Sequence, residues 1–386
     1  IADVAAFVRP RTALYRDARK RGNSAYFPDR VVPMLPDTLS RNLCSLRSGV
    51  DRACLVVTLW IDAKGSKRRH EFTRGTIRVA GNLSYRTVQD AHENPSKKAV
   101  PTSLALTIEH LYGAFSALMI ARSSRQPLDI ELPELRVGLG LDGHVESVYP
   151  QTRWDSHRLI EEFMIAANVA AAETLEERDM PCMYRIHDRP DEERVAALRE
   201  LLFSLELQLV KGQAIKPAHF NQILSQVADT PHVHLVNEAI LRTQTQALYS
   251  PVNNGHFGLN LSRYAHFTSP IRRYADLIVH RALISTLKLG GDGFEDEAAE
   301  NLSELGDRLS FTERRATTAE REATDRYLAA FLKDRRGLEF TGRISGVTRF
   351  GLFVTLDEFG ADGLVPIRTL GDEYYLHVEE RHALVG

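Results

Sequence analysis

The chain of 386 residues has only three cysteines, Cys44, Cys54 and Cys182, and no two of them form a CxxC pair. That excludes a disulfide framework and a thiolate zinc site, and it suits reduced thiols in a cytoplasmic protein. Neither sign of charge is in excess: 49 Lys and Arg face 51 Asp and Glu. Any contact with nucleic acid must then come from local patches rather than from overall charge. Long apolar runs are missing too. "LIEEFMIAANVAAA" is interrupted by Glu161 and Glu162, so neither a membrane span nor a signal peptide is expected. Internal repeats and low-complexity tracts are absent, and so is an opening methionine. The first residues, "IADVAAFVRP", alternate as a strand would. A chain seldom opens inside a strand, so a fragment with residues missing upstream is expected.

What is present reads as an α+β chain. Strands are expected over 1–8, 53–62 and 74–80, and a hairpin around Asp142-Gly143. Helical spacing marks 101–126 (Leu104, Ile108, Leu111, Phe115, Leu118) and 155–178 (Ile160, Phe163, Met164, Ala167). It also marks 191–210 and a long stretch over 297–333. After Gly337 strict alternation begins, "LEFTGRISGVTRFGLFVTLDEFGADGLVPI". This predicts a small β-barrel of the OB type, with room for three or four of its five strands and hence a cut C-terminus.

Two stretches carry candidate chemistry. In "YAHFTSPIRRYADLIVHR" (264–281), Ser269 reads as a helix N-cap and Pro270 as the first helical residue. Arg272 and Arg273 then fall on the first turn, where the helix dipole disfavours cations. One reading is an anion site built from backbone N–H groups, the Thr268 and Ser269 hydroxyls and the two guanidinium groups. The other is an Arg272–Asp276 pair at i, i+4 with Arg273 solvated. Residues 9–30 hold seven Lys or Arg against two Asp, with Tyr15, Tyr26 and Phe27 interleaved. That mixture suits single-stranded nucleic acid; a solvated helix followed by a Pro-rich loop fits it as well. The acidic segments 188–194 and 292–300 read as helix starts, and His266 and His280 as structural.

Several motifs together resemble the RNB family of exoribonucleases, the ribonuclease II and ribonuclease R type, with the ribonuclease R branch the nearer. They are "YSPVNNGHFGLNLSRYAHFTSPIRRYADLIVHR" (249–281), "IADVAAFVRP", "YFPDRVVPMLP", "LCSL", "SHRLIEEFMIAANVAAAE" and "AERE" (319–322). "GRISGVTRFGLFVTL" resembles the opening of an S1-type RNA-binding domain. The resemblance implies an RNB catalytic domain over 1–285, a helical extension over 286–336 and a partial S1-type OB barrel over 337–386. It implies processive 3′-to-5′ hydrolysis of single-stranded RNA to nucleoside 5′-monophosphates, with Mg²⁺, by a cytoplasmic monomer.

Carried over by motif, Arg272 grips the scissile-end phosphate and Arg273 supports it. Tyr26 stacks on a base, Glu161 or Glu162 (Glu162 preferred) packs near the terminal nucleotides, and Glu320 lies near the active site. Thr268, Ser269, Phe350 and Phe353 are further RNA contacts. The family's aspartate cluster would lie upstream of Ile1, so no metal ligand is expected in this chain. Asp3 is a single carboxylate. The fragment is then expected to bind RNA with little or no hydrolysis; a non-catalytic RNA-binding protein on the same fold is the alternative.

Overall fold

A computed structural model describes residues 1–386 apart from 98–99, 131–134, 295–300, 372 and 379–382. The chain opens with a 3₁₀ turn, Val4–Ala6, capped by Asp3, whose carboxylate accepts from the Ala6 N–H. It continues through α1 (Ala13–Arg21), the hairpin β1 (Ala25–Tyr26) and β2 (Val31–Val32), and a π-helical turn, Thr38–Leu43. Next come β3 (Asp51–Ile61), β4 (Lys67–Arg78), α2 (Tyr85–Glu93), α3 (Thr102–Arg125), β5 (Leu135–Leu139), β6 (Val145–Pro150) and α4 (Asp155–Glu176). The remaining elements are β7 (Tyr184–Ile186), α5 (Glu192–Ser204), α6 (Pro217–Val227), α7 (Val233–Thr243), β8 (Leu248–Ser250), α8 (Tyr274–Thr286) and α9 (Leu302–Lys333). Strands β9 (Gly342–Thr348), β10 (Gly351–Leu356), β11 (Asp362–Pro366), β12 (Leu376–Val378) and β13 (Ala383–Val385) follow.

The main core forms around α8. Every residue from Tyr274 to Ile284 is buried, as expected of a helix enclosed on all sides. Its charged and imidazole side chains each have a partner. Asp276 takes Arg273, His280 bonds the Phe267 carbonyl and Arg281 donates to the Val8 carbonyl. Helix α4 packs beside α8, and the chain start lies against α8. Helices α5 to α7 hold a separate core of Val195, Leu198, Leu202, Phe220, Ile223 and Ile240. The C-terminal strands form a three-stranded sheet in the order β11-β10-β9 and a β12-β13 hairpin. This lobe sits on β5–β6 and the end of α9 through Val148, Leu328, Phe331, Phe359 and Ala361.

Several expectations are corrected. Residues 1–8 are not a strand: only Ala2 bridges Cys54, and the 3₁₀ turn follows at once. Strand β4 begins at Lys67, well before residue 74, because the β3–β4 ladder continues to Ile61. Helix α5 stops at Ser204. Among the described residues the C-terminal lobe has five short strands rather than three or four. Helix α3 is, by length and composition alone, apolar enough to cross a membrane, although it packs with α2 and α4 through Ile108, Tyr112 and Phe115. Within 297–333 the described helix starts at Leu302, and 297–300 lie outside the described residues. The acidic segment 188–194 does open α5, with Glu192 and Glu193 on its first turn. Of 292–300, Asp292 instead forms a two-point pair with Arg74, and 295–300 lie outside the described residues. The three cysteines are buried free thiols.

Candidate nucleic-acid interface

A cavity of about 180 Å³ forms where the end of α1, the β1 strand, the 272–275 segment, β8 and α9 meet. Its walls bring together Tyr26, Arg272, Arg273 and Glu320, residues separated by nearly three hundred positions in sequence. Backbone hydrogen bonds make the junction: Ser24 N–H donates to the Arg272 carbonyl (3.0 Å) and Tyr274 N–H to the Gly22 carbonyl (2.8 Å). Gly22 ends α1 at φ 75° and lies so close to Thr312 of α9 that a Cβ there would clash.

Helix α8 therefore starts at Tyr274, with Arg273 as its N-cap. Pro270 to Arg272 form a turn, and both arginine N–H groups donate to the Ser269 carbonyl. The expected placement of Arg272 and Arg273 on a helical first turn is corrected. A long-range partner, Gly22, covers the N-terminus of α8, so the helix-dipole argument for an anion no longer applies. The i, i+4 pair is corrected as well. Arg273, not Arg272, holds Asp276, through Nε (2.8 Å) and Nη2 (2.9 Å). Asp276 is fully buried and also accepts from the Ser269 N–H at 2.6 Å. Burial works against the Arg273 charge, but Asp276 outweighs it and keeps the guanidinium firmly protonated.

Arg272 is different. Its side chain is exposed, lines the cavity and makes no hydrogen bond or ion pair among the described residues. Across from it, Glu320 Oε1 accepts from the Tyr26 N–H at 2.6 Å, which leaves the Tyr26 ring half-exposed at the cavity rim. Glu313, two helical turns before Glu320, also lines the cavity and pairs with Arg185 at 2.6 Å. Sequence reading missed Glu313, yet its seven-residue offset from Glu320 places both on one helix face. Arg185 lies over the Tyr249 ring, whose hydroxyl meets His266 Nδ1 at 2.9 Å. Burial, then the Arg273 charge, hold His266 neutral. It is structural, as is His280, which burial pushes down to about 4.

A second cavity, about 210 Å³, lies on the other side of Arg273 and is lined by Tyr85, His157, Glu161, Asn168 and Tyr264. Tyr85 stacks on His157 at 4.1 Å, and Asn168 is fixed by Tyr264 and by the Phe267 N–H. Here the preference for Glu162 is corrected. Glu162 is buried with Leu159 and Ile165 and is paired to Arg122 (2.9 Å) and Arg125 (3.4 Å) of α3. Its neighbour Glu161 faces the cavity. Ile160, expected inward, is 40% exposed.

Thr268 and Ser269 line neither cavity; the Thr268 hydroxyl is buried without a hydrogen-bond partner among the described residues. Phe350 and Phe353 are exposed on the C-terminal lobe, with the Arg349 guanidinium 4.7 Å from the Phe350 ring. The described residues do not fit the expected magnesium. Among them no three His, Cys, Asp or Glu side chains converge, and Asp3 is buried against Arg74 at 2.6 Å. What the first cavity can do chemically is hold an anion at Arg272 beside an aromatic face at Tyr26.

Comparison with known proteins agrees with this architecture. The RNB domain family matches residues 1–289, and the S1 RNA binding domain family matches 333–385. Ribonuclease R of Escherichia coli K12 is 38% identical over all of this chain and 49% of its own length. That of Aquifex aeolicus is 40% identical over all of this chain and 55% of its own. The chain thus spans about half the length of the curated relatives it matches. The apo structure of Mycoplasma genitalium RNase R superposes with a TM-score of 0.93 at 28% identity, covering 100% of this chain and 61% of that one. The same enzyme has also been solved in complex with ribose-methylated single-stranded RNA. Yeast Ssd1, a pseudonuclease, shares the fold at a TM-score of 0.74 and 20% identity, over 95% of this chain and 45% of that one. With mixed helices and strands, an RNB domain and a following S1 domain, the chain belongs to the RNB family.

Proposed function

We propose that this chain grips the 3′ end of single-stranded RNA, as part of a protein that degrades RNA processively from that end to nucleoside 5′-monophosphates. One observation carries the reading: Arg272, a cation without an acidic partner among the described residues, shares a small cavity with the exposed ring of Tyr26. A phosphodiester supplies the missing anion, and a base supplies the missing ring partner. Arg273 positions Arg272 through its bond to Asp276, and Glu320 sets Tyr26 by holding its N–H. In the second cavity, the Tyr85–His157 stack and Glu161 suit a neighbouring nucleotide. On the C-terminal lobe, exposed Phe350 and Phe353 offer further stacking faces. The same reading takes the protein as a cytoplasmic monomer.

Hydrolysis by two metal ions needs several carboxylates around one point. Both cavity glutamates are already engaged, Glu313 by Arg185 and Glu320 by Tyr26. This favours RNA binding with little or no hydrolysis for the residues 1–386, and keeps a non-catalytic RNA-binding protein as the second reading. Incubation of the chain with 5′-labelled single-stranded RNA and Mg²⁺, followed on a sequencing gel, separates the cases. Binding without shortening supports the grip alone. A ladder of 3′-shortened products, lost in Arg272→Ala, places hydrolytic ligands within these residues. Absence of any binding refutes the proposal.

A further inference from the structure

Arg185 sits at the centre of β7, directly opposite Tyr249 of β8, and its guanidinium lies 4.7 Å from the centre of the Tyr249 ring. Its own N–H is fixed by the Tyr264 carbonyl at 2.8 Å. Helix α9 is held close against this strand pair. The Tyr249 N–H donates to Ser310 Oγ at 2.9 Å, and a Cβ on Gly306 would come within 2.6 Å of the Tyr249 carbonyl oxygen. Glu313, about one turn beyond Ser310, therefore meets Arg185, whose Nη1 donates to Glu313 Oε2 at 2.6 Å. Arg185 does not line the cavity. Glu313 does, together with Arg272.

Two of the four charged side chains that line the cavity are thus neutralised from behind it, Arg273 by Asp276 and Glu313 by Arg185. Arg272 and Glu320 remain, one charge of each sign, and Glu320 is turned towards β1 by the Tyr26 N–H. The Arg185–Glu313 pair is largely shielded from water, its side chains being 14% and 28% exposed, so losing one partner leaves the other's charge poorly screened. Without Arg185, Glu313 adds an unbalanced carboxylate to the cavity, which repels a phosphate and competes with it for Arg272. We infer that Arg185 is a positioning residue for RNA binding: by engaging Glu313 it keeps that carboxylate away from Arg272 and leaves the arginine open to a phosphate. The inference rests on the RNA reading above, and it adds a residue that controls the grip from outside the cavity.

The test is a double-mutant cycle, read by fluorescence anisotropy of a labelled oligouridylate of about 12 nucleotides in EDTA, so that no hydrolysis intervenes. Arg185→Gln is expected to weaken binding about tenfold, and Arg185→Lys to keep it. Glu313→Gln alone is expected to bind at least as tightly as the unaltered chain, and the double variant Arg185→Gln with Glu313→Gln to regain the lost affinity. A merely structural pair behaves otherwise: both single variants weaken binding and the double variant does not recover. That pattern, or full affinity in Arg185→Gln, overturns the inference, while an impaired Arg272→Ala in the same series leaves the cavity grip standing. If Arg185→Gln does not fold, judged by circular dichroism, Glu313→Gln decides: undiminished affinity supports the inference and a loss overturns it. If Arg272→Ala binds like the unaltered chain, the grip and this inference fall together.

Discussion

Two polar pockets of this molecule carry several cations, and they differ in how those cations are partnered. The larger, about 520 Å³, lies between β4 and the C-terminal ends of α4 and α8 and is lined by Lys67, Arg68, Arg69, Arg178 and Arg263. Four of these five have an acidic partner. Lys67 pairs with Glu173, Arg68 with Asp62, Arg69 with Glu71 and Arg263 with Glu176, while Arg178 bonds the Thr174 carbonyl. Arg69 also covers the Trp60 ring. Cations at helix C-termini are what the dipole favours, so this pocket needs no ligand to explain it. The cavity around Arg272 is about a third of that volume and holds fewer cations. One of them, Arg272, has no partner among the described residues. Counting positive charges favours the larger pocket; the guanidinium with no contact among the described residues lies in the smaller one, beside the exposed Tyr26 ring.

The largest expected effect breaks the pairing that distinguishes Arg273 from Arg272. Asp276→Ala leaves Arg273 as a largely buried charge without its counter-ion and should cost about 3 kcal/mol of folding stability, read from urea unfolding. A cost below 1 kcal/mol would mean that the pair does not organise this wall. Next, Tyr26→Ala should weaken single-stranded RNA binding by about 1–3 kcal/mol while Tyr26→Phe does not, as a stacking ring requires. Equal losses in both variants would argue for the hydroxyl instead.

A smaller effect concerns pH. Buried His280 is held to about 4, below the 6.5 of a free imidazole, chiefly by desolvation. His266, beside the cavity, is depressed too, by burial and the Arg273 charge. Because the unfolded chain binds these protons first, their contribution is complete above pH 6.5 and is lost as pH falls from there towards 4. The urea midpoint should drop across that window and stay flat above it. A rise on acidification would contradict the neutral assignment.

Local signals explain what the sequence made legible. Helices α3 and α9 and the turn at Asp142-Gly143 follow from spacing and turn chemistry over a few residues, and the motifs pointed to Arg272, Tyr26 and Glu320 before any geometry. The failures share a cause. Ser269-Pro270 looks like a helix start, but the Gly22 carbonyl, some 250 residues away, captures the Tyr274 N–H and moves the start. Glu161 and Glu162 are indistinguishable locally; Arg122 and Arg125 on another helix decide which one is buried. Glu313 was invisible because its role depends on Arg185 and on the cavity, not on its neighbours.

The most direct measurement is the affinity of a short single-stranded RNA for the unaltered chain, for Arg272→Ala and for Lys67→Ala, under identical salt. Loss of a charge-assisted contact predicts about 2 kcal/mol, roughly thirtyfold, for Arg272→Ala and no change for Lys67→Ala. Unchanged binding by Arg272→Ala, or an equal loss in Lys67→Ala, would contradict the assignment of the RNA grip to the uncompensated arginine.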